Sequence, residues 1–194
     1  ESQAENAVKQ AHSAGLPTFN LDLMHGLPEQ SVENAMADLK QGIELTPYHL
    51  SWYQLTIEPN TPFYSKPPEL PDDDILWEIQ EKGHSLLERA GYHQYEISGY
   101  AKAGHQCRHN LNYWRFGDYL GIGCGAHGKI TDAANGTIHR TVKVKHPRGY
   151  MEMSRPYLDT QTLVSADDLP FEFFMNRFRL VEPCPMSDFS DFTG

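Results

Sequence analysis

Thr18-Phe19-Asn20-Leu21-Asp22-Leu23-Met24, broken by His25-Gly26-Leu27-Pro28, is the stretch on which the fold turns. Its alternation puts Asn20 and Asp22 on one side and Phe19, Leu21 and Leu23 on the other, the pattern of a short strand. Helical patterns lie on both sides of it. Ala7, Ala11 and Ala14 share one face of a helix over 1–15, which Gly15 ends and Pro17 cannot continue. Downstream, Ser31 is a good N-cap for a helix whose stripe is Val32, Ala35, Met36, Leu39, Ile43 and Leu45, stopped by Pro47. A second strand is expected over His49–Ile57, a proline-rich loop over Pro59–Pro71, a third helix ending at Gly91, and a third strand over Tyr92–Ile97. Helix and strand alternating through short connections is the order of parallel βα units, in an open sheet or a barrel, and three strands suggest part of a barrel. Asp22, inward-facing near the end of its strand, stands where a barrel enzyme keeps a ligand contact, or else caps the next turn. Asp72-Asp73-Asp74 reads as compensation of a helix dipole or as a metal site.

Composition narrows the partners. Among 194 residues the formal charge is −10, which argues against a nucleic-acid backbone as partner. No apolar run approaches the roughly 18 residues of a bilayer span. The three cysteines, Cys107, Cys124 and Cys184, are too few and too widely spaced for a disulfide framework or a CxxC site, which implies a reducing compartment and a cytoplasmic protein. The ten histidines are dispersed without an HExxH pair. The opening residues resemble the middle of a helix, and the chain reads as a piece of a larger protein.

From His109 to Gly128 the texture changes. Tyr113, Trp114, Phe116 and Tyr119 are followed by glycines at 117, 121, 123, 125 and 128, with Cys124 among them and histidines at 109 and 127. Bare backbone beside aromatics suits a large flat ligand, although a buried strand with close-packed glycines gives the same pattern. No Gly-x-Ser-x-Gly elbow is present, and the Gly121-Ile122-Gly123-Cys124-Gly125 run lacks the Lys-Ser/Thr of a phosphate loop. On residue chemistry, His109 or His127 is a candidate axial nitrogen for a heme iron, or simply a hydrogen-bonded histidine. Asn135-Gly136 predicts a two-residue hairpin turn, Pro147–Tyr157 a short helix and Ala166–Leu180 a longer one.

Four strings carry a resemblance: NLDLMHGLP at 20–28, HLSWYQLTIEP at 49–59, HNLNYW at 109–114 and FEFFMNRFRL at 171–180. Together they resemble the radical S-adenosylmethionine heme chaperone family, long described as oxygen-independent coproporphyrinogen III oxidase-like, and the HNxxYW string is the most specific. The resemblance implies an α/β fold: the C-terminal part of a partial TIM-like radical SAM barrel over 1–100, a mixed β extension with the hairpin over 101–160, and the start of a truncated helical domain over 161–194. In that family a CxxxCxxC motif holds a [4Fe–4S] cluster. No such motif occurs here, so no radical chemistry is expected of this chain by itself. Asp22 matches the family's contact to S-adenosylmethionine, and Thr56 and His127 align with positions that line its nucleoside in the related oxidase, where the residue types differ and only backbone contacts carry over. His109 is the expected heme contact and Cys124 a further heme candidate. The implied function is to bind heme and deliver it to an apo-hemoprotein, which leaves room for peripheral membrane contact through that acceptor. The alternatives are oxidative decarboxylation of coproporphyrinogen III, and a plain interaction domain whose aromatics are core.

Overall fold

The computed structural model describes residues 2–152 and 154–194, which fall into two units, Glu1–Cys107 and Arg108–Gly194. The first opens with α1 (Ser2–Ser13), β1 (Asn20–His25), α2 (Val32–Glu44) and β2 (His49–Gln54). Ser31 caps α2 by accepting a hydrogen bond from the Asn34 amide. Strands β1 and β2 pair in parallel, from Asn20 opposite His49 to His25 opposite Gln54, as βα units require. Thr61 caps a single turn, α3 (Pro62–Ser65), inside the segment expected to be loop throughout. Pro62 is tolerated there because a first-turn residue needs no amide donor. The long α4 (Asp73–Arg89) follows, and the Asp72 carboxylate caps it by accepting from the Ile75 amide. That is the helix-start reading of the aspartate triplet.

Beyond α4 the expected third strand is a hairpin instead: β3 (His93–Gln94) and β4 (Gly99–Ala101), in a sheet ordered β1-β2-β4-β3 with β4 antiparallel to β2. Alternation along Tyr92–Ile97 carries no information about direction. The tight reversal depends on Gly99, where a Cβ would lie 2.3 Å from Glu96 Oε1 and 2.9 Å from the Tyr95 ring. One sheet face, with Leu50, Trp52 and Tyr100, is sealed by Val32, Ala35 and Leu39 of α2 and Ile79 and Leu87 of α4. The other presents Asn20, Asp22, His49 and Ser51.

His25 closes the sealed face, 2% exposed, its ring 4.3 Å from that of Trp52 and its Nδ1 without a hydrogen-bond partner among the described residues. Burial pushes its pKa down to about 4. A depressed folded value means that the unfolded chain takes up the proton first. Stability is therefore full above the unfolded value of about 6.5 and drains away as pH falls from there to about 4, by on the order of 3 kcal/mol. Urea midpoints followed by tryptophan fluorescence will fall across that window in the native chain, and His25→Gln will flatten the part of the fall that belongs to this residue.

The second unit contains α5 (Arg108–Trp114), β5 (His127–Asp132), β6 (Thr137–Lys143), α6 (Pro147–Tyr150), β7 (Leu158–Leu163), α7 (Leu169–Arg177) and α8 (Met186–Thr193). Strands β5, β6 and β7 form an antiparallel sheet in that order. The predicted hairpin is present, but residues 133–136 all lie in its turn, because Asp132 pairs with Thr137 and its carboxylate accepts from the Ala134 amide and the Asn135 side chain. The helix expected over Pro147–Tyr157 is only the turn α6, and β7 follows it. The core is aromatic: Phe173, fully buried, meets Phe116, Phe174, Phe189 and Phe192. The expected segments 101–160 and 161–194 both contribute to this unit.

Candidate functional site

Two places gather the residues singled out by the sequence. In the first unit, Asp22 is exposed on the face that α2 and α4 leave open, and its Oδ1 accepts from Asn20 Nδ2 at 3.0 Å. Asn20 Oδ1 is an acceptor only, so at 2.6 Å His49 Nδ1 must donate to it, and Ser51 Oγ donates to the same oxygen at 3.2 Å. With Nδ1 protonated, the neutral ring accepts at Nε2 from the Tyr95 hydroxyl, 2.8 Å away, which in turn accepts from the Cys107 amide. Every proton in this chain of bonds is thereby assigned. Burial holds the His49 pKa below its ordinary value, against the opposing pull of Asp22. Asp22 is thus oriented from beneath as a solvent-facing acceptor. Thr56 is exposed beyond β2 and bonds Glu58 at 3.1 Å.

In the second unit, helix α5 carries the HNxxYW residues. His109 and Tyr113, one turn apart, share a face. Tyr119 comes back against both, 5.8 Å from the His109 ring and 5.5 Å from that of Tyr113, while Tyr113 meets Trp114 edge to face at 4.7 Å. The return is made by Phe116, a non-glycine at φ 65°, whose carbonyl accepts from Lys129 Nζ at 2.7 Å. Lys129 is 2% exposed, and burial lowers its pKa despite the neighbouring Asp118. Asp118 itself is pushed up by burial, but bonds from Thr131 and the charge of Lys129 outweigh that and leave its pKa lowered. This knot fixes Tyr119 as a wall.

The wall borders a cavity of about 730 Å³, lined by Tyr113, Trp114, Tyr119 and His127 together with Arg140, Glu172, Phe171, Met175 and Arg179. A smaller hollow of about 270 Å³ shares those first four residues and adds His109 and Asn110. The larger volume suits a ligand of several rings. Arg140 is held by Glu172 at 2.6 Å, and the Arg179 guanidinium lies 4.5 Å from the centre of a Trp114 ring. His109 and His127 are both exposed at the site, so either imidazole is open to a ligand.

The glycines have a different part from the one expected. A Cβ on Gly121 would lie 2.1 Å from the His127 carbonyl oxygen, and one on Gly128 2.7 Å from Thr141 Oγ1, so the close approach is of the chain to itself. Cys124 is exposed on the loop between Gly123 and Gly125 and does not line either hollow. Arg140, Glu172 and Arg179 escaped the sequence reading because they reach the site from β6, α7 and the turn after it. No group of three or more His, Cys, Asp or Glu side chains among the described residues is placed to hold a metal ion.

No family model matches the chain. It is 64% identical to the heme chaperone HemW of Escherichia coli over 99% of its own length and 50% of that protein. The heme chaperone HemW of Haemophilus influenzae is 62% identical over the whole chain, again over 50% of the relative, and that of Bacillus subtilis 36% identical over 87% of the chain and 45% of the relative. The chain thus spans about half the length of the curated relatives it matches. In structure it resembles coproporphyrinogen III oxidase (HemN) from Escherichia coli, a radical SAM enzyme, with a TM-score of 0.75 and 18% identity over 97% of this chain and 46% of that one. This likeness is one of fold.

Proposed function

We propose, from the premise that this chain belongs to the radical S-adenosylmethionine heme chaperone family, that it supplies the heme-holding part of a protein that delivers heme to an apo-hemoprotein. The observation that carries the reading is the aromatic cavity, where the HNxxYW residues, an accessible imidazole and the exposed apolar side chains of Phe171 and Met175 meet in one unit. His109 supplies the axial nitrogen, and Tyr113, Trp114 and Tyr119 offer ring faces and edges to the porphyrin plane. His127, on the same walls, is a second nitrogen for the iron. Cys124, held apart on its loop, is the weaker heme candidate.

S-adenosylmethionine fits the first unit: Asp22, oriented through Asn20 and His49, accepts hydrogen bonds from ligand hydroxyls, and Thr56, five residues beyond Ser51, the register partner of Asp22, offers its backbone further along the same edge of the ligand. S-adenosylmethionine bound with its cluster supplies radical chemistry in this superfamily. The described residues offer the cluster no ligand group, and none of its steps is assigned to them. No helix among the described residues is long and apolar enough to cross a membrane, and three free thiols suit the reducing cytoplasm proposed as its setting.

The test is a handover. The chain loaded with ferric heme and mixed with apomyoglobin, as a generic acceptor, will lose its own Soret band as that of the holo-acceptor grows. Retention of heme by the chain would contradict delivery. Conversion of coproporphyrinogen III to its decarboxylated product by the full-length protein would favour the oxidase instead.

A further inference from the structure

We propose that Arg179 anchors a carboxylate of the tetrapyrrole, so that the cavity selects the anionic heme over its esters. The inference rests on the heme reading above and deepens it. Its ground is the unequal treatment of the arginines around the site. Arg140 is committed to Glu172 Oε2 through two bonds, at 2.9 and 2.6 Å, which neutralise it. Arg177 also has unpartnered nitrogens, Nε and Nη1, but it is tied to the Pro183 carbonyl at 2.7 Å and to Glu182 at 3.2 Å and does not line the cavity. Arg179 lines the cavity with its guanidinium carbon over Trp114, 4.5 Å from the ring centre, and its buried Nε has no hydrogen-bond partner among the described residues.

Trp114 Nε1, on the same wall, is likewise buried and unpartnered. Two buried N–H donors left unpaired are a standing cost to the empty protein. A guanidinium held over an indole keeps its charge, and its N–H fork grips a carboxylate with two parallel bonds. Tyr113, Trp114, Tyr119, Leu163, Phe171 and Met175 make the aromatic and apolar part of the lining; on its polar rim Arg140 and Glu172 neutralise each other, and the Asp168 carboxylate accepts from Ser165 Oγ at 2.6 Å. A ligand matching it has a flat apolar body and a carboxylate at one end, which describes heme with its propionates and not a neutral porphyrin.

The test compares ferric heme with ferric heme dimethyl ester in Soret titrations of the whole chain, as wild type, Arg179→Gln and Arg179→Lys. The wild type will bind the acid at least tenfold tighter than the ester. Arg179→Gln will lose that preference by weakening the acid alone, and Arg179→Lys will keep part of it. Acid and ester bound equally by the wild type, or acid bound by Arg179→Gln as by the wild type, overturns the anchor and leaves the heme reading standing. No binding of either ligand by the wild type overturns both. The acid–ester comparison on the wild type needs no variant, so a folding defect in Arg179→Gln does not rescue the proposal.

Discussion

His109→Ala will bind ferric heme at least tenfold more weakly than the native chain, and its Soret maximum will move because the iron loses a nitrogen ligand. The expectation follows from placement. His109 is exposed on α5 and touches Tyr119 only edge to face, 5.8 Å between ring centres, so the substitution leaves the core intact. Surface changes of this kind cost within about 0.5 kcal/mol of stability, too little to lower affinity by unfolding the site. A coordinate bond is a larger loss, and tenfold in affinity is only about 1.4 kcal/mol. Imidazole added to the variant will restore the band position, since the vacated space opens to solvent. A variant indistinguishable from the native chain, together with loss of binding in His127→Ala, would move the axial role across the wall to His127.

Gly83→Ala will destabilise the first unit by about 2–3 kcal/mol, a large share of the roughly 5–15 kcal/mol by which domains are stable. Gly83 sits on the buried face of α4, and a Cβ there would lie 1.8 Å from Trp52 Cη2 and 2.5 Å from two further ring carbons. The indole has nowhere to go. It is 2% exposed, with His25 at 4.3 Å and Tyr100 at 6.3 Å between ring centres. Alanine gains about 1 kcal/mol over glycine in helix propensity, which offsets only part of the clash. Urea denaturation will show a lower midpoint. In a double-mutant cycle, Trp52→Leu will recover part of the loss, because it makes the room the methyl needs. Equal midpoints for Gly83→Ala and the native chain would mean that α4 does not pack this closely on β2.

The sequence carried the parts of this molecule whose logic is local. Strand alternation at 20–24 placed Asp22 opposite Leu21 and Leu23, Ser31 and Asp72 announced two helix starts, and the parallel βα step from β1 to β2 followed from the pattern between them. Direction was not local: β4 runs antiparallel because a glycine lets the chain fold back at residue 99, and no periodicity reports that. Strand β7, Leu-Asp-Thr-Gln-Thr-Leu, lay beyond a proline where a helix was expected to end, and all six of its residues are exposed, so it has no buried face to betray it. At the site, the HNxxYW string gave the aromatic wall and His109. The polar rim stayed hidden, since Arg140, Glu172 and Arg179 become neighbours of Trp114 only after β6 and α7 are placed. The glycines misled for a physical reason: a backbone that must pass another backbone needs glycine just as much as one that must pass a ligand.

Whether the aromatic cavity of the second unit holds heme is tested by titrating ferric heme into the unmodified chain and following Soret absorbance. A heme site there will saturate at one heme per chain, with a Soret band distinct from that of free heme. A linear rise without saturation, identical to heme added to buffer, would contradict it.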